Sequence, residues 1–145
     1  MPGIAVLALC VCVLPGAAVL QPVANMYLAP TTESEVVSQA IFGANVDLLE
    51  EKDGWGRIRT FDNYTGWMPL SALRRDRSYA IHGRVAEVQS LFAHLYREAS
   101  VTRRAPLLTV PFETKLEVIA EPGGNKRWLQ VRLPDDRTAF LPPAS

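Results

Sequence analysis

The chain has 145 residues, and its 15 basic and 15 acidic side chains leave no formal net charge. With aromatic content at 8%, no global field or stacking surface argues for nucleic acid or an anionic membrane as partner. Length alone suggests one domain, but small β-barrels of about 70 residues fold alone, so two small domains also fit.

The first charged side chain is Glu33, and the apolar run "GIAVLALCVCVLPGAAV" ends in small residues. Residues 1–22 therefore read as a secretory leader, with Gly16 and Ala18 at the −3 and −1 subsites and cleavage after Ala18. Pro2, Pro15, Gly16 and Pro22 interrupt the run too often for a buried helix, and a bilayer span needs about 20 apolar residues. Leu9 and Val11 precede the cysteines where a lipidation signal would place a small residue, so no membrane association is expected after cleavage. Both cysteines, Cys10 and Cys12, fall in this segment. The mature chain would then have no thiol nucleophile, no disulfide and no Cys-based zinc site.

From Val23 onward, short apolar runs alternate with turn residues, the pattern of an all-β barrel or sandwich. "VANMYLAP" predicts a strand ending at Pro30, "TTESEVVSQAIFG" a long polar connection closing at Gly43, and "NVDLLEE" a strand before the tight turn "KDG". "WGRIRTF" and "TGWMP" are strands joined by "DNY", and "LSAL" is a single 3₁₀ turn. The order then recurs: "AHLYRE", a long connection "ASVTRRAPLLTVPFET", "KLEVIAE", the turn "PGGNK", "WLQVRL", the turn "PDD" and "RTAFLP". Residues 74–84 separate the two runs as a linker, and the cluster from Arg74 to Arg77 reads as solvated chain. "GRVAEVQSLFAHLYREAS" also has helical amphipathicity, but a strand aligns Tyr96 with Tyr27.

The recurrence is a repeat at a constant offset of 73 residues, which pairs Trp55 with Trp128, Arg59 with Arg132, Asp62 with Asp135 and Trp67 with Phe140. Strand alternation puts Gly56, Ile58 and Thr60 on one face, and Leu129, Val131 and Leu133 on its equivalent. That face is the core. Trp55 and Trp128 point the other way, either as walls of a ligand groove or as covers for the barrel end or the domain contact.

"TGWMPLSAL" resembles the closing signature of SH3 barrels, "WGRIR" the tryptophan strand beside their peptide groove, and "TTESEVVSQAIFG" stands where their RT loop lies. With a leader and a tandem arrangement, the chain resembles the bacterial SH3 (SH3b) pair that precedes the catalytic domain of secreted NlpC-type cell-wall cysteine peptidases. The resemblance implies two tandem SH3-like barrels, at 23–73 and 85–145. At Ala139 and Phe140 the second copy departs from the Gly-Trp pair, which favours a structural role there.

No catalytic residue is expected. His82 and His94 lack a thiol partner or a nucleophile elbow, and neither a converging carboxylate pair, a phosphate loop nor a metal spacing is present. No cofactor is expected either. Asn63-Tyr64-Thr65 matches a glycosylation sequon but reads as a plain hairpin turn. The resemblance implies a non-catalytic, extracytoplasmic region that recognises a peptidoglycan stem peptide beside a cysteine-peptidase catalytic domain supplied in cis or in trans. The alternative is a free-standing scaffold that binds a protein partner. The binding residues expected are Tyr27, Glu35, Trp55, Asp62, Tyr64 and Trp67, with Glu35 pairing to a free ammonium and Tyr64 donating its hydroxyl beside it.

Overall fold

A computed structural model of the chain describes Gly3, residues 16–120 and residues 128–142. The fold is all-β. In chain order the strands are β1 (Gly16–Val19), β2 (Val23–Tyr27), β3 (Val36–Ile41), β4 (Asn45–Lys52), β5 (Trp55–Arg59) and β6 (Thr65–Pro69). A 3₁₀ turn at Leu70–Ala72 follows, then β7 (Leu73–Arg74), β8 (Val85–Glu87), β9 (Phe92–Leu95), β10 (Leu108–Pro111), β11 (Lys115–Ala120), β12 (Leu129–Arg132) and β13 (Thr138–Leu141).

The first lobe is a seven-stranded sheet in the order β3-β2-β6-β5-β4-β1-β7. Val19, Ala24, Met26, Ala40, Val46, Ile58, Met68 and Leu73 come from all seven strands and pack into one core, so the sheet curls around it. Period-two alternation produces this arrangement: Met26 and Met68 are fully buried, while the adjoining Tyr27 and Trp67 are only half-buried on the outer face. In the second lobe β10-β9 and β13-β12-β11-β8 surround a separate core of Leu95, Val110, Leu116, Val131, Leu133 and Ala139. The Tyr96–Phe140 bridge links these two sheets.

The recurrent hairpin is the same object in both lobes. Thr60 N–H donates to the Tyr64 carbonyl and Asn63 N–H to the Thr60 carbonyl, at 2.9 and 3.0 Å. Leu133 N–H to the Arg137 carbonyl and Asp136 N–H to the Leu133 carbonyl, at 2.7 and 3.0 Å, lie at the same positions one repeat later. Asn63 and Asp136 both adopt left-handed φ, 67° and 69°, which short polar side chains tolerate.

The structure departs from three expectations and decides between two readings of a fourth segment. Among the described residues the sheet already includes Gly16–Val19, ahead of the expected boundary at Val23, with β1 between β4 and β7 and Ala17, Ala18 and Val19 fully buried. Cleavage after Ala18 would cut this strand, and the rest of the apolar run, residues 4–15, lies outside the described residues, as does the expected turn at 122–126. The two long connections each contain a strand, β3 and β10, because an extended, β-branched segment pairs with its neighbour despite the polar start of the loop. "GRVAEVQSLFAHLYREAS" forms the strands β8 and β9, as the alignment of Tyr96 with Tyr27 predicts, and not the alternative helix. Finally, the charged start of the linker is tied to the second lobe: Arg74 Nη2 and Arg77 Nη1 donate to the two carboxylate oxygens of Asp136, at 2.9 and 2.8 Å.

Candidate functional site

Three of the expected binding residues meet on the outer face of the first lobe. Tyr27 of β2 stands opposite Trp67 of β6, which in turn stands opposite Arg57 of β5. The Tyr27 and Trp55 rings meet edge to face, with centroids 5.7 Å apart and planes at 85°, the geometry favoured by aromatic quadrupoles. Gly66 helps to assemble this face, since a Cβ there would lie 2.9 Å from Met26 Cβ and 3.1 Å from Val37 Cγ2. Its absence lets β3 come close to β6.

The remaining three residues sit on loops. Glu35 is exposed where the β2–β3 loop closes, and its carbonyl accepts from Leu28 N–H at 2.9 Å. The loop is held by Ala29 N–H donating to Ser34 Oγ at 2.9 Å. Asp62 and Tyr64 are exposed in the β5–β6 turn, and the Asp62 carboxylate accepts a short hydrogen bond from the Thr60 hydroxyl. Trp55, paired with Pro69, occupies the opposite end of the β5–β6 hairpin from Tyr64. The structure thus clusters Tyr27, Trp55 and Trp67, and leaves Asp62 engaged within its own turn.

The second lobe has a comparable pair, Tyr96 and Trp128, at 5.6 Å and 88°. Its β9 extends this into a row, with His94 6.4 Å from Tyr96 and 5.4 Å from Phe92. His94 Nδ1 is also 2.8 Å from Thr109 Oγ1. Among the described residues, no three His, Cys, Asp or Glu side chains gather as a metal site, and no helix is long and apolar enough to cross a membrane.

Sequence reading missed the joint between lobes. Phe42, just after β3, leaves its own lobe and is buried in the second core with Leu95, Leu116 and Val131. Tyr79, 3% exposed, exchanges hydrogen bonds with Asn45: Asn45 Nδ2 donates to the Tyr79 carbonyl, and Tyr79 N–H to Asn45 Oδ1, both at 2.8 Å. The Tyr79 hydroxyl donates to the Arg132 carbonyl and accepts from Glu117 N–H, so this one residue is bonded to the first lobe through its backbone and to the second through its side chain. Burial pushes its pKa up to about 12. Gly43 passes beside it with φ 74°, where a Cβ would lie 2.9 Å from the Tyr79 ring. Only glycine suits that position.

Curled small sheets, a long loop between the strands of the first hairpin and a closing 3₁₀ turn define an SH3-like fold. Residues 26–73, within the first lobe, match the family model of the bacterial dipeptidyl-peptidase SH3 domain. Among solved structures, an NlpC/P60 family protein from Bacillus cereus matches with a TM-score of 0.69 at 18% identity, covering 88% of this chain and 54% of that one. NlpC2 from Trichomonas vaginalis matches at a TM-score of 0.38 and 13% identity, over 89% of this chain and 46% of its own. The chain spans about half the length of these relatives. No curated protein sequence matches it.

Proposed function

We propose that the chain is the non-catalytic recognition region of an exported NlpC-type cell-wall peptidase, acting on peptidoglycan stem peptides beside a cysteine-peptidase catalytic domain supplied in cis or in trans. The observation that carries this reading is the match of residues 26–73 to the dipeptidyl-peptidase SH3 domain, on the lobe that presents the Tyr27–Trp55–Trp67 face. A dipeptidyl peptidase must locate the free amino end of its substrate. In this reading the Glu35 carboxylate takes the ammonium, the Tyr64 hydroxyl donates beside it, and the aromatic face supports the chain that follows. A hydrogen bond to a charged group contributes about 1.5–3 kcal/mol. The lobe forms one wall of the pocket, so the ligand stays half solvated and binding to the isolated chain is weak.

The test is an NMR titration of the full chain with a stem peptide that begins with L-alanine. Amide signals around Glu35, Trp55 and Tyr64 are expected to move, and an N-acetylated peptide is expected to move them less. Equal shifts for both peptides, or shifts confined to the second lobe, would remove the amine-recognition role and favour a scaffold that binds a protein.

A further inference from the structure

We infer that the cleft between the two lobes is a second ligand site, distinct from the aromatic face, which takes a small apolar group carrying a positive charge. The cleft encloses about 460 Å³, within the range of about 300–1,000 Å³ typical of small-molecule pockets. Its floor is the joint itself. Phe42 is rooted in the second core and Tyr79 is bonded to both lobes, so the cavity is preformed and needs no loop to close over it.

Two unsatisfied apolar side chains flank that floor. Phe61, in the β5–β6 turn, is 95% exposed, more than any other large apolar side chain among the described residues, and it lines the cleft. Ile81, on the segment joining the lobes, is 56% exposed and lines it too. Isolated exposed apolar residues are common, but two converging on one concave surface form a contact area a ligand can cover. The second lobe supplies the polar wall, with Glu87, Glu113 and Lys115. Lys115 stands opposite Glu87 in the β8–β11 register, which leaves one carboxylate in excess and makes the wall attractive to cations. An apolar body with an ammonium or guanidinium head matches both walls. A carboxylate head does not.

The probe is 2-phenylethylammonium, titrated into the isotope-labelled full chain, with 2-phenylethanol and 3-phenylpropionate as neutral and anionic counterparts. Saturable millimolar binding that shifts the amides of Phe61, Ile81, Glu87 and Glu113 is expected, weaker for the alcohol and weakest for the carboxylate. The double variant Glu87→Gln/Glu113→Gln, both exposed positions, is expected to weaken the ammonium probe about three- to tenfold. Glu35→Gln, in the other site, is expected to leave this affinity unchanged. Absence of saturable shifts at these residues, equal affinity for ammonium and carboxylate, or an unaffected double variant would overturn the assignment.

Discussion

At the scale of single residues, each lobe depends on one aliphatic side chain at the centre of its recurrent hairpin. Ile58 and Val131 are fully buried, at equivalent positions, in cores that share no residue. Ile58 stands opposite Gly66 and Val131 opposite Ala139, so each reaches the core across a small partner. Little nearby could collapse into the space left by truncation. Ile58→Ala is expected to destabilise the first lobe by about 2–5 kcal/mol, and Val131→Ala the second by the lower part of that range. Urea denaturation followed by resolved amide signals in each lobe checks this, and an unchanged midpoint for the first lobe in Ile58→Ala would show that Ile58 does not face the core.

At the scale of elements, β1 decides where an exported form of this protein can begin. It fills the gap between β4 and β7 through Ala17–Val46, Ala18–Asn45 and Val19–Leu73 pairs, and Ala18 also packs with Tyr79 and Ala80 at the joint. A chain that began at Val19 would lose two fully buried side chains, Ala17 and Ala18, with the Gly16–Ala18 strand pairing, and bare the edges of two strands. The cost is on the order of 2 kcal/mol from apolar burial alone. Mass spectrometry of exported protein is therefore expected to find an amino terminus at or before Gly16, and recombinant protein starting at Gly16 to melt above protein starting at Val19. Equal melting would show that β1 is dispensable. This strand was not legible because "GAAV" has the small, apolar composition a leader also has at its end, and no local signal separates the two. The hairpin strands were legible, since alternation around Gly56, Ile58, Met68 and Val131 fixes which face is buried. The same alternation put Tyr27, Trp55 and Trp67 outside, where the structure brings them together. Glu35 and Tyr64 came from loop position and family resemblance, which locate a residue near a face but not its contacts. Phe42, Tyr79 and the Arg74–Asp136 pair escaped reading altogether, because their partners lie tens of residues away and a charged run looks solvated until its counter-ion is placed.

At the scale of the whole molecule, the two lobes are joined by shared burial, and Tyr79 makes that joint sensitive to alkaline pH. Its hydroxyl is bonded on both sides to backbone of the second lobe, and its burial favours the neutral form, which pushes the pKa up from 10.0 to about 12. A group whose pKa is higher in the folded state contributes stability in full below the unfolded value. Here that contribution is present below pH 10 and disappears as pH rises through about 12, because ionisation would place a phenolate against the Arg132 carbonyl and near Glu117. Tyr79 is almost fully buried, so little is lost to solvent screening, and a shift of this size corresponds to about 3 kcal/mol. Tyr79→Phe keeps the ring packing against Gly43 but removes the hydroxyl's bonds to the Arg132 carbonyl and Glu117 N–H, at a cost of about 1–3 kcal/mol near neutrality. The variant has no phenol at this position to ionise, so its deficit is expected to shrink with rising pH. Urea unfolding of both proteins between about pH 8 and about pH 11 measures this, other tyrosines being common to both. Converging stabilities place the hydroxyl inside the joint, whereas a constant difference across that range would mean that Tyr79 is solvated and the lobes are held together by Phe42 and the arginine pair with Asp136 alone.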